Sequence, residues 1–199
     1  MADTGVIDTR SVILDTAIPL FAAGGYSGVS VRTIAKMVGI SAPALYHHFP
    51  DKQALYLASM EQAFADKSQA IVHSLRSEGN AWERLDAFLT DFVRLMGEDA
   101  DFRALLQREL LDGDDVRLQL LAEQVFREPF EAVSALAQEL NPDCDPHLMA
   151  ISIAGLVLFH FDSAPIRRFL PGRTQDHDQI DVVREHVSSL LHKALSTSE

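Results

Sequence analysis

Tyr46, His47, His48 and Phe49 stand side by side, between a run of small residues, Ser41-Ala42-Pro43-Ala44, and the pair Asp51-Lys52. Successive side chains on a helix point about 100° apart, so four neighbouring rings cannot share one core. Leu45 and Phe49, four apart, face inward together. Tyr46 and His47 fall on other faces, where a hydroxyl and an imidazole can meet an anionic backbone. The small residues let the start of the same helix come close to base edges. Ser41 and the free N–H groups of a helix N-terminus suit phosphate oxygens. The chemistry on offer is therefore recognition of a nucleic-acid duplex. The plain alternative is a cluster of exposed or core-edge aromatics, beside which Lys52 is only a solvated charge; its value lies in its spacing.

Such residues need elements that hold them. Helical spacing persists along the chain and strand alternation does not. The first helix is expected from about Thr9 to Ala23, with Ile13, Ala17, Leu20 and Phe21 on one face, ending at Gly24-Gly25. Ser30 caps a short helix, "VRTIAKMVG", and Gly39-Ile40 turns the chain. Ser41 caps a second short helix with Pro43 in its first turn, and Pro50 closes it. Asp51 caps a long helix from Lys52. Two short capped helices joined by a glycine turn and braced by a preceding helix describe a helix-turn-helix. Further helices are expected along Trp82–Met96, Phe102–Leu111, Asp115–Leu140 with a kink at Pro129, His147–Phe161, and from Ile180. The fold class is all-α. A helix-turn-helix head over residues 1–57 is joined by a long helix to a helical ligand-binding and dimerisation body over residues 58–199.

"PLFAAGGYSGVSV" followed by "RTIAKMVGISAPALYHHFPDKQAL" resembles the DNA-binding domain of TetR/AcrR-type transcriptional repressors, over roughly residues 9 to 57. The resemblance implies that Thr33 donates to phosphate and that Ser41, Ala42, Pro43 and Ala44 face base edges. It also implies that Tyr46, His47 and Lys52 clamp the backbone, while His48 contacts phosphate or packs. The family often has lysine or arginine early in this helix; here Ala42 and Ala44 stand there, and the first residues form no basic arm. Both departures imply apolar or shape-based readout. The partners implied are a double-stranded DNA operator, a second copy of the chain and a small-molecule effector.

In the body, the surplus of large apolar faces and the Pro129 break point to a mainly apolar or amphipathic ligand. Its site would be lined by Phe88, Phe92, Met96, Phe102, Leu106, Phe126, Phe130 and Phe159. Arg108 or His160 would supply a polar contact. Phenylalanines at this spacing are equally core residues. Arg108 and Glu109 read either as a helix-surface pair or as a partly buried charge that orients a ligand or couples body to head. A two-fold interface is expected from Ile153, Leu156 and Val157 with Ile180, Val183, Val187, Leu190 and Ala194.

Composition bounds the alternatives. The 199 residues are 47% hydrophobic and 23% charged, which argues against disorder. The net charge of -12 argues against nucleic acid, but residues 1–52 hold four basic and four acidic side chains, so the rest carries the whole acidic surplus. Cys144 is the only cysteine, which excludes an intramolecular disulfide and suits a cytoplasmic protein. The N-terminus does not read as a signal peptide, and "LMAISIAGLVLFHF" is too short to span a bilayer. No histidine pair has the spacing of a metal site. A nucleophile elbow, a glycine-rich phosphate loop and a catalytic cysteine setting are all missing, so neither enzyme nor cofactor is expected. A helical adaptor that uses its helix-turn-helix for protein contact is the competing reading.

Overall fold

The structure, a computed structural model, describes residues 8–196. The expectations placed on the first seven residues lie outside that range. Among the described residues the secondary structure is helical, without strands. The helices are α1 (Thr9–Gly28), α2 (Val31–Val38), α3 (Ala42–His48), α4 (Lys52–Leu75), α5 (Ala81–Glu98) and α6 (Ala100–Asp112), followed by α7 (Asp115–Leu121), α8 (Arg127–Leu140), α9 (Pro146–Asp162), α10 (Ala164–Arg167) and α11 (Ile180–Leu195). Gly25, at φ 67°, breaks α1 near its end, as the glycine pair implied.

The kink expected at Pro129 lies earlier in the chain. Ala122–Phe126 forms a π-turn between α7 and α8, and Pro129 sits in the first turn of α8. Proline has no N–H for the carbonyl four residues back. The wider turn ends three residues before it.

The chain forms two compact units. One comprises residues 1–66 and 101–125, the other residues 67–100 and 126–199. The division runs elsewhere than a boundary near residue 57, because α6 and α7 join the head. α4 supplies residues to both units.

In the first unit Ile13, Leu14, Phe21, Ile34, Leu45, Leu55 and Met60 are fully buried. Within this apolar core lies a buried charge. Glu109 on α6 is 0% exposed. It accepts from the Tyr56 hydroxyl at 2.7 Å and from Arg117 Nε at 2.8 Å. Arg117, on α7, also reaches Asp114 at 3.4 Å and Asp112 at 3.8 Å. A buried carboxylate persists only when its oxygens are matched in this way. Nearby, Arg108 donates from Nε to the Ala22 carbonyl at 2.7 Å and from Nη2 to the Ala23 carbonyl at 2.5 Å. Both carbonyls lie just before the break in α1 at Gly25.

The second unit packs α5, α8, α9 and α11 around Leu85, Leu89, Val93, Met96, Ile153, Val157 and Val187. Asn80 and Glu83 form a reciprocal cap at the start of α5. Trp82 stacks on His192 at 4.3 Å, and Asp86 accepts from Ser188 at 2.7 Å, fixing α5 to α11.

Burial, then the Glu109 hydrogen bond, raises the Tyr56 pKa above its ordinary value of 10.0. A raised folded-state pKa contributes stability that is fully present below the unfolded pKa and lost as pH rises through the folded one. Tyr56→Phe should cost roughly 1.5–3 kcal/mol near neutral pH, the range for a hydrogen bond to a charged group. The deficit should shrink above about pH 10, where the wild type alone loses this contribution. Urea unfolding of both proteins across pH 7–11 measures it; a gap independent of pH would contradict the buried phenol.

Candidate nucleic-acid interface

Each turn of the head is closed locally. Ser30 Oγ accepts from the Thr33 N–H at 3.1 Å and lies 2.8 Å from the Thr33 hydroxyl. Gly39 ends α2 at φ 82°, the left-handed conformation, and its N–H returns to the Ala35 and Lys36 carbonyls. Ser41 Oγ accepts from the Ala44 N–H at 3.2 Å, opening α3. Asp51 accepts from the Ala54 N–H at 2.7 Å, opening α4. Leu45 (0% exposed) and Phe49 (2%) then bury the inner face of α3.

The outer face is left to solvent. Ser41, Pro43, Tyr46, His47 and His48 are exposed, and Ala42 and Ala44 are half-buried. Thr33 is exposed on α2. Of the two fates expected for His48, exposure rather than packing holds. Lys52 is half-buried at the start of α4, with its ammonium 4.5 Å from the centre of the Tyr26 ring. Burial, and then the positive charge of Arg117, lowers its pKa.

The expected effector residues are divided between the two units. Phe102, Leu106 and Arg108 belong to the first unit, the others to the second. Phe102 packs on Phe64 at 4.1 Å, and Arg108 is occupied at the end of α1. Arg108 is exposed, and its guanidinium ties α6 to α1. Phe88 and Met96 are core residues, with Phe92 stacked on Phe88 at 5.4 Å. Phe126 and Phe130 are half-buried, the latter edge-on to His147 at 5.0 Å. Phe159 is 71% exposed and lines no interior. Half-buried His160 lies 5.6 Å from His186 and beside Arg167; burial and these neighbours lower its pKa. Grooves of about 210 Å³ and 170 Å³ on the second unit are lined instead around Leu75, Arg84 and Glu139 and around Ile71, Arg94 and Glu98.

The residues expected at the subunit interface divide between buried and exposed positions. Ile153, Val157, Val183 and Val187 are at most 3% exposed within one chain. Ile180 lies against Gly97, where a Cβ would come within 2.7 Å of it. The first four face the interior of their own chain, and Ile180 is half-buried. Leu156 is half-buried, while Leu190 (39%) and Ala194 are exposed. The larger outward stripe is on α9: Leu148, Ile151, Gly155 and Phe159, at helical spacing. Among the described residues no group of three or more His, Cys, Asp or Glu side chains could hold a metal, and no helix is long and apolar enough to cross a membrane.

A short helix with a bare polar and aromatic outer face, braced by a second capped helix through a glycine turn, is a helix-turn-helix head. Residues 13–59 match the family model described as "Bacterial regulatory proteins, tetR family". The Staphylococcus aureus (strain Newman) biofilm operon icaADBC HTH-type negative transcriptional regulator IcaR is 33% identical over 84 residues, 42% of this chain and 45% of that protein. The chain thus spans less than half the length of the curated relative it matches. A tetR-family regulatory protein from Rhodococcus RHA1 superposes with a TM-score of 0.77 at 19% identity, covering 96% of this chain and 99% of that one. AibR, solved with isovaleryl coenzyme A and operator DNA, gives a TM-score of 0.71 at 21% identity, over 92% of this chain and 97% of that one. Residues 13–59 form a TetR-family DNA-binding domain, on a chain with the fold of TetR-family regulators.

Arg108→Ala should remove the side-chain donors at the Ala22 and Ala23 carbonyls. A loss of about 0.5–1.5 kcal/mol is expected from chemical unfolding, the range for hydrogen bonds partly open to water; no measurable change would contradict the tie.

Proposed function

We propose that this protein is a DNA-binding transcriptional regulator. In this reading it is a cytoplasmic homodimeric repressor, not an enzyme, that leaves a near-palindromic operator when a small apolar or amphipathic molecule binds. The observation that carries the reading is the solvent-facing surface of α3, with Ser41, Pro43, Tyr46, His47 and His48 outward while Leu45 and Phe49 anchor the helix. Thr33, Tyr46, His47, His48 and Lys52 meet phosphates, and Ala42, Pro43 and Ala44 meet base edges. The competing adaptor reading has no comparable observation in its favour.

One head reads few base pairs, so affinity comes from two, placed roughly 34–36 Å apart or more on the duplex. The α9 stripe of Leu148, Ile151, Gly155 and Phe159, with Leu156 and Leu190, forms the subunit contact in place of the buried valines. The effector is held on the second unit by the half-buried Phe92, Phe126 and Phe130, with His160 as a polar contact. Acyl thioesters are amphipathic, and the AibR complex supports including them among candidate effectors. An effector acts only through unequal affinity for DNA-competent and incompetent states.

Lys52→Ala and Tyr46→Phe should weaken binding to all duplexes alike, whereas substitutions at Ala44 should change the preferred sequence. Fluorescence anisotropy on specific and scrambled duplexes separates the two; a sequence shift from Lys52→Ala with none from Ala44 variants would reverse the roles. Phe159→Glu should give monomers in sedimentation and at least about tenfold weaker operator binding, through loss of the second head. A full dimer in that variant would remove the α9 interface. DNA affinity unmoved by a panel of acyl-CoA, fatty acids and aromatic compounds would remove the effector while leaving DNA binding intact.

A further inference from the structure

Tyr26 lies outside the helix-turn-helix, at the disrupted end of α1, yet it is where several charged and aromatic groups meet. The Lys52 ammonium is 4.5 Å from its ring centre, and the Arg117 guanidinium 4.4 Å. Tyr56 packs edge-on against it at 5.2 Å. A lysine at a helix start would ordinarily swing freely through solvent. Here its amine rests on the negative face of an aromatic ring, which attracts a cation within about 6 Å.

The ring is itself held. Tyr56 is 1% exposed and hydrogen-bonded to Glu109, and Arg117 is fixed by the same carboxylate. The lysine expected to touch DNA phosphate therefore stands on a platform braced by buried groups of α4, α6 and α7. Arg117 also opposes any deeper approach of the lysine, since both are cations.

We propose that Tyr26 is a positioning residue for DNA binding: its ring holds the Lys52 ammonium at the head surface, ordered in advance for a phosphate. The proposal rests on the DNA-binding reading of the head. Holding the side chain before contact removes part of the ordering cost that binding would otherwise incur. The ring face supplies the effect, so the phenolic hydroxyl is not needed.

The test compares Tyr26→Leu, Tyr26→Phe, Lys52→Ala and the double variant Tyr26→Leu/Lys52→Ala in the full chain, on a mixed-sequence duplex at several salt concentrations. Lys52→Ala should flatten the plot of log affinity against log salt by about 0.9 per head, one phosphate contact. Tyr26→Leu should weaken binding about two- to fivefold per head, as expected for loss of a cation–π contact at a partly exposed site. It should flatten the salt plot in the same direction, and Tyr26→Phe should do neither. In the double variant the leucine should add nothing to the loss from Lys52→Ala. Thermal unfolding of each variant separates these effects from lost stability, which does not alter a salt slope. An unchanged slope in Lys52→Ala would remove the phosphate contact and the proposal with it. A normal Lys52→Ala response with wild-type behaviour in Tyr26→Leu, or an additive double variant, would overturn the positioning role alone.

Discussion

A carboxylate with no exposure to water dictates much of the first unit. Glu109 must have its charge met inside the protein, because an unmatched buried ion costs several kcal/mol. Tyr56 and Arg117 meet it, drawn from α4 and α7. That requirement places α6 and α7 with the head although some forty residues separate them from it. Arg108, next to Glu109 on α6, adds bonds to the Ala22 and Ala23 carbonyls of α1. The head is thereby closed by polar contacts of fixed direction as well as by its small apolar core, which alone would leave orientation less specified.

The surface this builds is economical in charge. The outer side of α3 offers small residues, a phenol and two imidazoles, with Lys52 behind them. In the proposed reading, alanine contacts would discriminate bases mainly through the thymine methyl, leaving much of the discrimination to how readily a duplex fits two heads. A neutral head on an acidic chain also lowers non-specific attraction to DNA, since that attraction scales with the phosphates neutralised.

The second unit divides its apolar residues between two tasks. One set on α9 and α11 fills the space over α5, where Gly97 lets Ile180 approach. The other leaves Leu148, Ile151 and Phe159 outside. A helix as uniformly apolar as α9 has no single inward face by composition, so its neighbours choose it.

Local signals determined the head. Serine, aspartate and glycine at helix ends act through bonds to residues two to four positions away, and these are readable as spacing; Ser30, Gly39, Ser41 and Asp51 took the places their neighbours required. The all-helical class was legible for the same reason. Which apolar face meets which was not. The period of α11 marked Ile180, Val183, Val187, Leu190 and Ala194 as one stripe, but the inward line is Val183, Val187, Leu191 and Leu195, buried in its own chain. Pro129 announced a disruption, and the irregular turn lies just before it, over Ala122–Phe126. Arg108 and Glu109 looked alike as adjacent charges; only the fold turned one to the α1 carbonyls and buried the other. Tyr26 carried no signal beyond its place after two glycines, because its meeting with Lys52 and Arg117 joins segments that periodicity treats separately. Contacts between distant segments arise from the simultaneous burial of many side chains, and that is a property of the packed chain.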